Sequence, residues 1–303
     1  MASDSALTSG RSLQQRFSHF WSLLVLLSLF AVVFIFVQDK PPKVLVGRQR
    51  SFGTLVPVDK ISHAVWNELL SRHVDSAGNV DYSGWLAASD DVRRLNEYVA
   101  QLSRADLSPV SNRNAQKAFW INTYNALTIK GILNQYRTTG DQKHVPQVGG
   151  DKTGRDLSIR IAERNYTLEQ IEHDILRKLK EPRIHFAIVC GSRGCPRLLN
   201  EAYSADRFED QLTRNTEAFF AEPSKFQLDS ASHELRLSPI IKWYADDFGP
   251  TPAARLITIS PWLPDSNMRD QVQRGELKVK YLEYDENLND QATSSNAAPL
   301  PPP

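Results

Sequence analysis

Residues 116–136, QKAFWINTYNALTIKGILNQY, place apolar side chains on every side of a helix instead of along one stripe. A helix of that kind persists in water only when other elements cover it all round. The rest of the chain must therefore supply a shell, which selects a globular body with this helix at its centre. A chain of 303 residues, 41% hydrophobic and 23% charged, is large enough to build one.

The shell reads as mostly helical. HAVWNELLSRHV (63–74) and VRRLNEYVAQLS (92–103) carry apolar residues at three-and-four spacing, the pattern of half-buried surface helices. TLEQIEHDILRKLK (167–180) opens with Thr167 and Gln170 in a capping-box arrangement and presents Ile171, Ile175 and Leu179 on one stripe. The cations of RKLKEPR (177–183) then fall at a helix C-terminus, where they complement its dipole. IHFAIV (184–189), short, apolar and bounded by Pro182 and Gly191, predicts a buried strand. A further helix is expected over 204–221 with Ser204 as N-cap, and a hairpin over 225–238. Ser238 and Pro239 start a helix that Gly249 ends, and LKVKYLEYD (277–285) alternates as a strand does. The fold class is α+β: a mostly helical single domain around a small β-sheet, spanning 57–290.

Three regions lie outside that domain at its N-terminal side. Residues 1–19 are polar, and residues 20–37 run without a charge for a length of about 27 Å as a helix, enough to span a bilayer. No small-residue cleavage site follows, so the run is read as a transmembrane signal anchor, with 38–56 as a basic linker. Arg11 and Arg16 precede the span, while Lys40, Lys43, Arg48 and Arg50 follow it, which by charge alone keeps the body inside. Long domains behind a first apolar segment translocate largely regardless of charge, so an extracytoplasmic body is expected. At the other end, QATSSNAAPLPPP (291–303) reads as a disordered Pro-rich tail. A formal net charge of +1 leaves no electrostatic footprint for nucleic acid.

The chemistry concentrates in CGSRGC (190–195), which holds both cysteines of the chain. A Cys190 thiol at a strand end, beside Arg193 and the loop amides of Gly191 and Ser192, has its pKa drawn down and becomes a usable nucleophile. His185 is a candidate base, although in a period-two strand it faces away from Cys190; His144 and His173 are the others. In an oxidising compartment Cys190 and Cys195 instead close a short disulfide loop, and the sequence leaves both states open. The cysteine spacing does not suit zinc, and neither a metal nor another cofactor is expected. Asn122 and Asn125, three apart on the central helix, either orient substrate or tie the helix to neighbouring backbone. Glu172 either pairs with an arginine such as Arg193 or faces water, and Lys242, Trp243 and Tyr244 form a candidate pocket wall with Asp246 and Asp247.

KAFWINTYNALTIKGIL, IEHDILR, IHFAIVCGSRGCPRL, KWYADDFG and VKYLEYDENLND together resemble the uncharacterised family catalogued as domain of unknown function 547, over roughly residues 60–290. The resemblance carries no settled activity. It marks Phe119, Trp120, Asn122, Tyr124 and Asn125, then Glu172, His185, Cys190, Ser192, Cys195 and Pro196, and finally Lys242, Trp243, Tyr244 and Phe248 as motif positions. Gly194 departs from the serine that many relatives carry there. The expectation is a membrane-anchored domain with a Cys190-centred pocket for a small-molecule or peptide ligand. Its chemistry would be that of a thiol-dependent hydrolase or acyl transferase with Cys190, His185, Asn122 and Asn125 as catalytic groups, and Glu172, Ser192, Arg193, Lys242, Trp243 and Tyr244 would bind. The alternative is a non-catalytic binding or scaffolding domain whose loop is fastened by a Cys190–Cys195 disulfide.

Overall fold

The computed structural model describes residues 54–108, 112–139, 157–162, 164–229 and 232–294, all within the compact unit Lys43–Pro303. The span 20–37 and His144 lie outside the described residues. No helix among the described residues is long and apolar enough to cross a membrane.

The helix that organises the molecule, α4 (Arg113–Thr139), follows α1 (Ala64–His73), α2 (Tyr82–Ala87) and α3 (Ser89–Leu102). Phe119, Ile121, Ala126, Leu127 and Ile129 on α4 are fully buried, as all-round apolarity demands. They belong to a core that also takes Trp66 and Leu69 from α1, Trp85 from α2, and Tyr98 and Val99 from α3. A second core gathers Phe186, Phe219, Phe220, Leu235, Ile241 and Phe248. Segment 184–189 touches both, since Ile184 and Ala187–Val189 sit in the first while Phe186 sits in the second.

The small sheet expected from the sequence is instead, among the described residues, three separate sheets. β1 (Val56–Pro57) pairs in parallel with β2 (Ala105–Asp106), and β3 (Ser158–Ile161) pairs antiparallel with β4 (Arg164–Thr167). The expected hairpin is present as β5 (Phe226–Asp229) and β6 (Glu234–Leu237). β7 (Lys278–Tyr281), also expected, joins β6 in parallel, and the crossover that such pairing needs carries the helices between them.

Four local expectations are corrected. Segment 184–189 is not a strand: Pro182–Phe186 forms a 3-10 turn, with Pro182 in its first turn and the Glu181 side chain accepting from the Arg183 amide. The backbone groups a sheet would have paired are taken by side-chain amides. Asn125 donates to Ala187 O and accepts from Val189 N, and Asn215 donates to Phe186 O. Second, α6 (Phe208–Ala221) begins four residues beyond Ser204, whose amide donates to the Gln211 side chain. Third, the helix expected over 239–249 is broken at Tyr244 into α7 (Ile240–Trp243) and α8 (Ala245–Phe248). Fourth, the tail reading fails at its start, because Gln291–Ser294 is a helical turn and the Gln291 side chain donates to His73 O and Asn79 O; residues 295–303 lie outside the described residues.

Candidate functional site

The capping box at Thr167 and Gln170 forms as the sequence predicts, with α5 (Leu168–Gln170) behind it. The chain then widens into a π-helix over Ile171–Leu176, where the Arg177 amide bonds Glu172 O five residues back, and tightens into a 3-10 turn over Arg177–Leu179. Such widened turns recur at functional sites because they redirect the side chains that follow. Here the redirected group is Arg177. Its guanidinium donates to both Asp247 oxygens, at 2.6 and 3.1 Å, and to His173 Nδ1 at 2.7 Å.

Asp247 also accepts from His185 Nε2 at 2.7 Å. Burial alone would raise this carboxyl, but the hydrogen bonds from His185 and Arg177 overcome it and hold the group down at about 2. The His185 ring is sealed and stacks on Tyr244 with centroids 3.9 Å apart. Because Arg177 can only donate, His173 Nδ1 accepts and its proton resides on Nε2, 4.0 Å from Glu172 Oε1. Glu172 is buried, with its other oxygen accepting from Tyr124 OH at 3.2 Å. A polar chain therefore runs from His173 through Arg177 and Asp247 to His185, and the buried Tyr124–Glu172 pair lies at its His173 end without a hydrogen bond across the 4.0 Å gap. Glu172 neither meets Arg193 nor faces water, which corrects both sequence readings of it.

The open side of this chain is a cleft of about 160 Å³ lined by Arg177, Lys180, Glu181, Pro182, Ile184, Asp246 and Asp247. Arg177 and Asp247 neutralise each other across it, and Glu181 is bound to Arg183. Lys180 and Asp246, both exposed, remain as opposite charges on the rim. A cavity of about 420 Å³ lies elsewhere, between Val58, His63, Asn67, Ala118, Tyr203 and Arg207. It is roomier, yet the partly buried charges of Arg177, Glu181 and Asp247 converge on the smaller cleft, and charge convergence is the better mark of a site.

The cysteine loop forms the neighbouring constellation. Cys190 and Cys195 are joined in a disulfide with Cα atoms 6.3 Å apart, so neither is a free thiol. Their sulfurs are bonded by hydroxyls and by an amide. Ser192 Oγ is 3.1 Å from Cys190 Sγ, Tyr284 OH is 3.3 and 3.2 Å from the two sulfurs, and the Cys190 amide donates to Cys195 Sγ at 3.0 Å. Burial pushes the Tyr284 phenol up to about 12, so it is a donor at neutral pH. Gly194 is what admits it: a Cβ there would lie 2.6 Å from the Tyr284 ring, which gives the departure from serine a steric reason. Gly191 has φ +89° and backs onto Ile132. The Arg193 side chain donates to Thr293 Oγ1, and its carbonyl accepts from the Lys225 ammonium.

The sequence-derived residues thus divide into three groups. Glu172 and His185 lie along the polar chain, with Tyr244 stacked on the His185 ring. Cys190, Ser192 and Arg193 share the loop, and Trp243, 56% exposed, reaches it through the Tyr284 ring 4.8 Å away, while Lys242 lies over Tyr281. Asn122 and Asn125 are in neither: Asn122 clasps Tyr203 N and O, as Asn125 clasps Ala187 O and Val189 N, so both ends of each amide are taken by backbone. The sequence did not single out Arg177, Lys180 or Tyr284 as site residues. Arg177 was read as a dipole cation, and Tyr284 lay inside a quoted motif with nothing local to tie it to a loop 94 residues earlier. Among the described residues no cluster of three or more His, Cys, Asp or Glu could hold a metal ion.

Residues 108–220 match the family described as "Protein of unknown function, DUF547". No curated protein and no solved structure matches.

Proposed function

The chain belongs to the DUF547 family through residues 108–220, a family whose description assigns no activity, and from that premise we propose that it is a binding domain for a small zwitterion the size of an amino acid or a peptide terminus. The observation that carries the reading is the cleft itself, where Lys180 and Asp246 offer opposite charges at the rim of about 160 Å³ while Arg177 and Asp247 cancel each other beneath. Drug-sized ligands occupy some ~300–1,000 Å³, so this cleft suits one small moiety. Lys180 takes its carboxylate and Asp246 its ammonium.

The bridged cysteines favour binding over a thiol-dependent hydrolase or acyl transferase, because Cys190 carries no free thiol and hydroxyls surround its sulfur. A disulfide persists in oxidising compartments. Together with the apolar run 20–37, it supports a membrane-anchored domain held on the extracytoplasmic side.

Calorimetric titration with dialanine checks the ligand class. Binding is expected with free dialanine and lost with its N-acetyl, C-amide form. Lys180→Asn and Asp246→Asn should each weaken it by about tenfold or more, the cost of one charge-assisted contact. Asparagine suits the left-handed φ of 54° at position 180, so the first variant should fold. Equal affinity for the blocked dipeptide would remove the reading.

A further inference from the structure

We propose that the Cys190–Cys195 bridge is a thiol–disulfide exchange site, at which an incoming thiolate attacks Cys190 Sγ and Cys195 departs as the thiolate. The two sulfurs differ in the way this direction needs. Cys190 is partly exposed, whereas Cys195 is 8% exposed. Attack therefore falls on the first, and the second is the leaving group.

The leaving sulfur already faces donors. The Cys190 amide and the Tyr284 phenol both point hydrogens at Cys195 Sγ, from 3.0 and 3.2 Å. Bridged sulfurs carry no hydrogen, so the Tyr284 hydroxyl donates to sulfur, and Ser192 Oγ, 2.7 Å from the phenol oxygen, has its own hydrogen for either Tyr284 or Cys190 Sγ. Donors that bond weakly to a neutral sulfur bond strongly to a thiolate, and a leaving thiol of lower pKa leaves faster. The Lys225 ammonium on the Arg193 carbonyl adds positive charge to the same loop.

The loop does not depend on the bridge for its shape. Arg193 N donates to Asn287 O, Gly194 N to Asp285 O, and Asn289 N to Gly191 O, at 2.8, 2.7 and 2.9 Å. A bridge closing so short a loop also constrains the unfolded chain least. It can open while its frame stands.

The atoms balance. A substrate thiolate forms a bond to Cys190 Sγ, the Cys190–Cys195 bond breaks, and its electron pair goes to Cys195 Sγ. A second substrate thiolate then attacks the substrate sulfur of the mixed disulfide, releasing substrate disulfide and leaving both cysteines reduced. Two thiols are oxidised and one protein disulfide is reduced, with the reverse run available from a substrate disulfide. The exposed Trp243 ring beside Tyr284 gives the thiol carrier an apolar place to rest. This site shares no residue with the Lys180 and Asp246 cleft, so its failure and the failure of the binding reading are separate results.

The oxidised full-length chain is incubated without denaturant with reduced glutathione in one arm and a reduced, unfolded cysteine-containing protein in the other, then acid-quenched and peptide-mapped by mass. Expected are opening of the bridge in at least one arm and a mixed disulfide on Cys190, which accumulates when Cys195→Ser is mixed with oxidised glutathione. Tyr284→Phe should slow opening about tenfold at unchanged fold. Opening only at urea concentrations that unfold the protein, an adduct on Cys195, or a Tyr284→Phe rate equal to wild type would overturn the proposal. Should that variant fail to fold, the mapping of the unaltered chain decides alone.

Discussion

Asp247 is the carboxylate on which Arg177 and His185 converge, and its charge is what keeps the polar chain connected. Its folded value of about 2 lies below its ordinary 3.8. A depressed carboxylate stabilises the fold above the unfolded value and loses that contribution as pH falls through the folded one. Wild type should therefore exceed Asp247→Asn in thermal midpoint by several degrees at pH 7, and the gap should close between pH 4 and about pH 2. Melting both proteins across that range checks it; a gap that stays constant down to pH 2 would mean the carboxylate is not held by its partners. Asn125 illustrates a different residue-level device. One amide replaces the two backbone partners that a neighbouring strand would have given Ala187 and Val189, groups that cost about 1 to 3 kcal/mol each if left bare. Asn122 does the same for Tyr203, Gln211 for Ala202 and Ser204, and Asn215 for Phe186. An irregular stretch can thereby cross the interior between the two cores.

At the scale of elements, the π-helix Ile171–Leu176 sets where Arg177 points. Inserting one alanine after the exposed Asp174 adds a residue that the widened turn does not absorb, turning everything after it by about 100° relative to Glu172. The variant is expected to keep its far-ultraviolet circular dichroism while losing dialanine binding and the Asp247 contacts, seen as a changed His185 ring resonance. Retained binding would show that the widened turn does not position the cleft. This element was invisible in the sequence for a definite reason: Ile171, Ile175 and Leu179 satisfy an α-helical stripe equally well. The capping box of Thr167 and Gln170 was legible because it is settled within four residues, and α4 was legible because apolarity on all faces has one reading. Segment 184–189 misled because an apolar run between Pro182 and Gly191 fits a strand, while the groups that satisfy its backbone come from Asn125 and Asn215, far away in sequence. The Cys190 loop was legible as a candidate only, because its two states differ by a bond that residue identity alone does not decide, and Tyr284 arrives from outside any local window.

At the scale of the whole molecule, residues 285–291 act as a strap between parts of the chain that are distant in sequence. On one side they hold the cysteine loop, through Arg193 N to Asn287 O and Gly194 N to Asp285 O. On the other they hold the turn after α1, where Val80 N donates to Asn289 O and Gln291 N to Val80 O. Between these, Tyr82 OH donates to Asn289 Oδ1 and Tyr136 OH to Asp290 Oδ2, and Leu288 is buried in the first core. Removing the strap leaves several buried donors bare at about 1 to 3 kcal/mol each, a sum comparable with the ~5–15 kcal/mol that holds a domain folded. A chain ending at Tyr284 is therefore expected to lose cooperative unfolding. The milder Asn289→Ala, which deprives Tyr82 and Gly78 of a partner, should fold with a lowered midpoint. In that variant, amide exchange should quicken together at Val80 and Arg193, because one strap protects both. Faster exchange at Val80 with Arg193 unchanged would mean that the loop and the N-terminal helices are stabilised independently, and that the strap couples nothing.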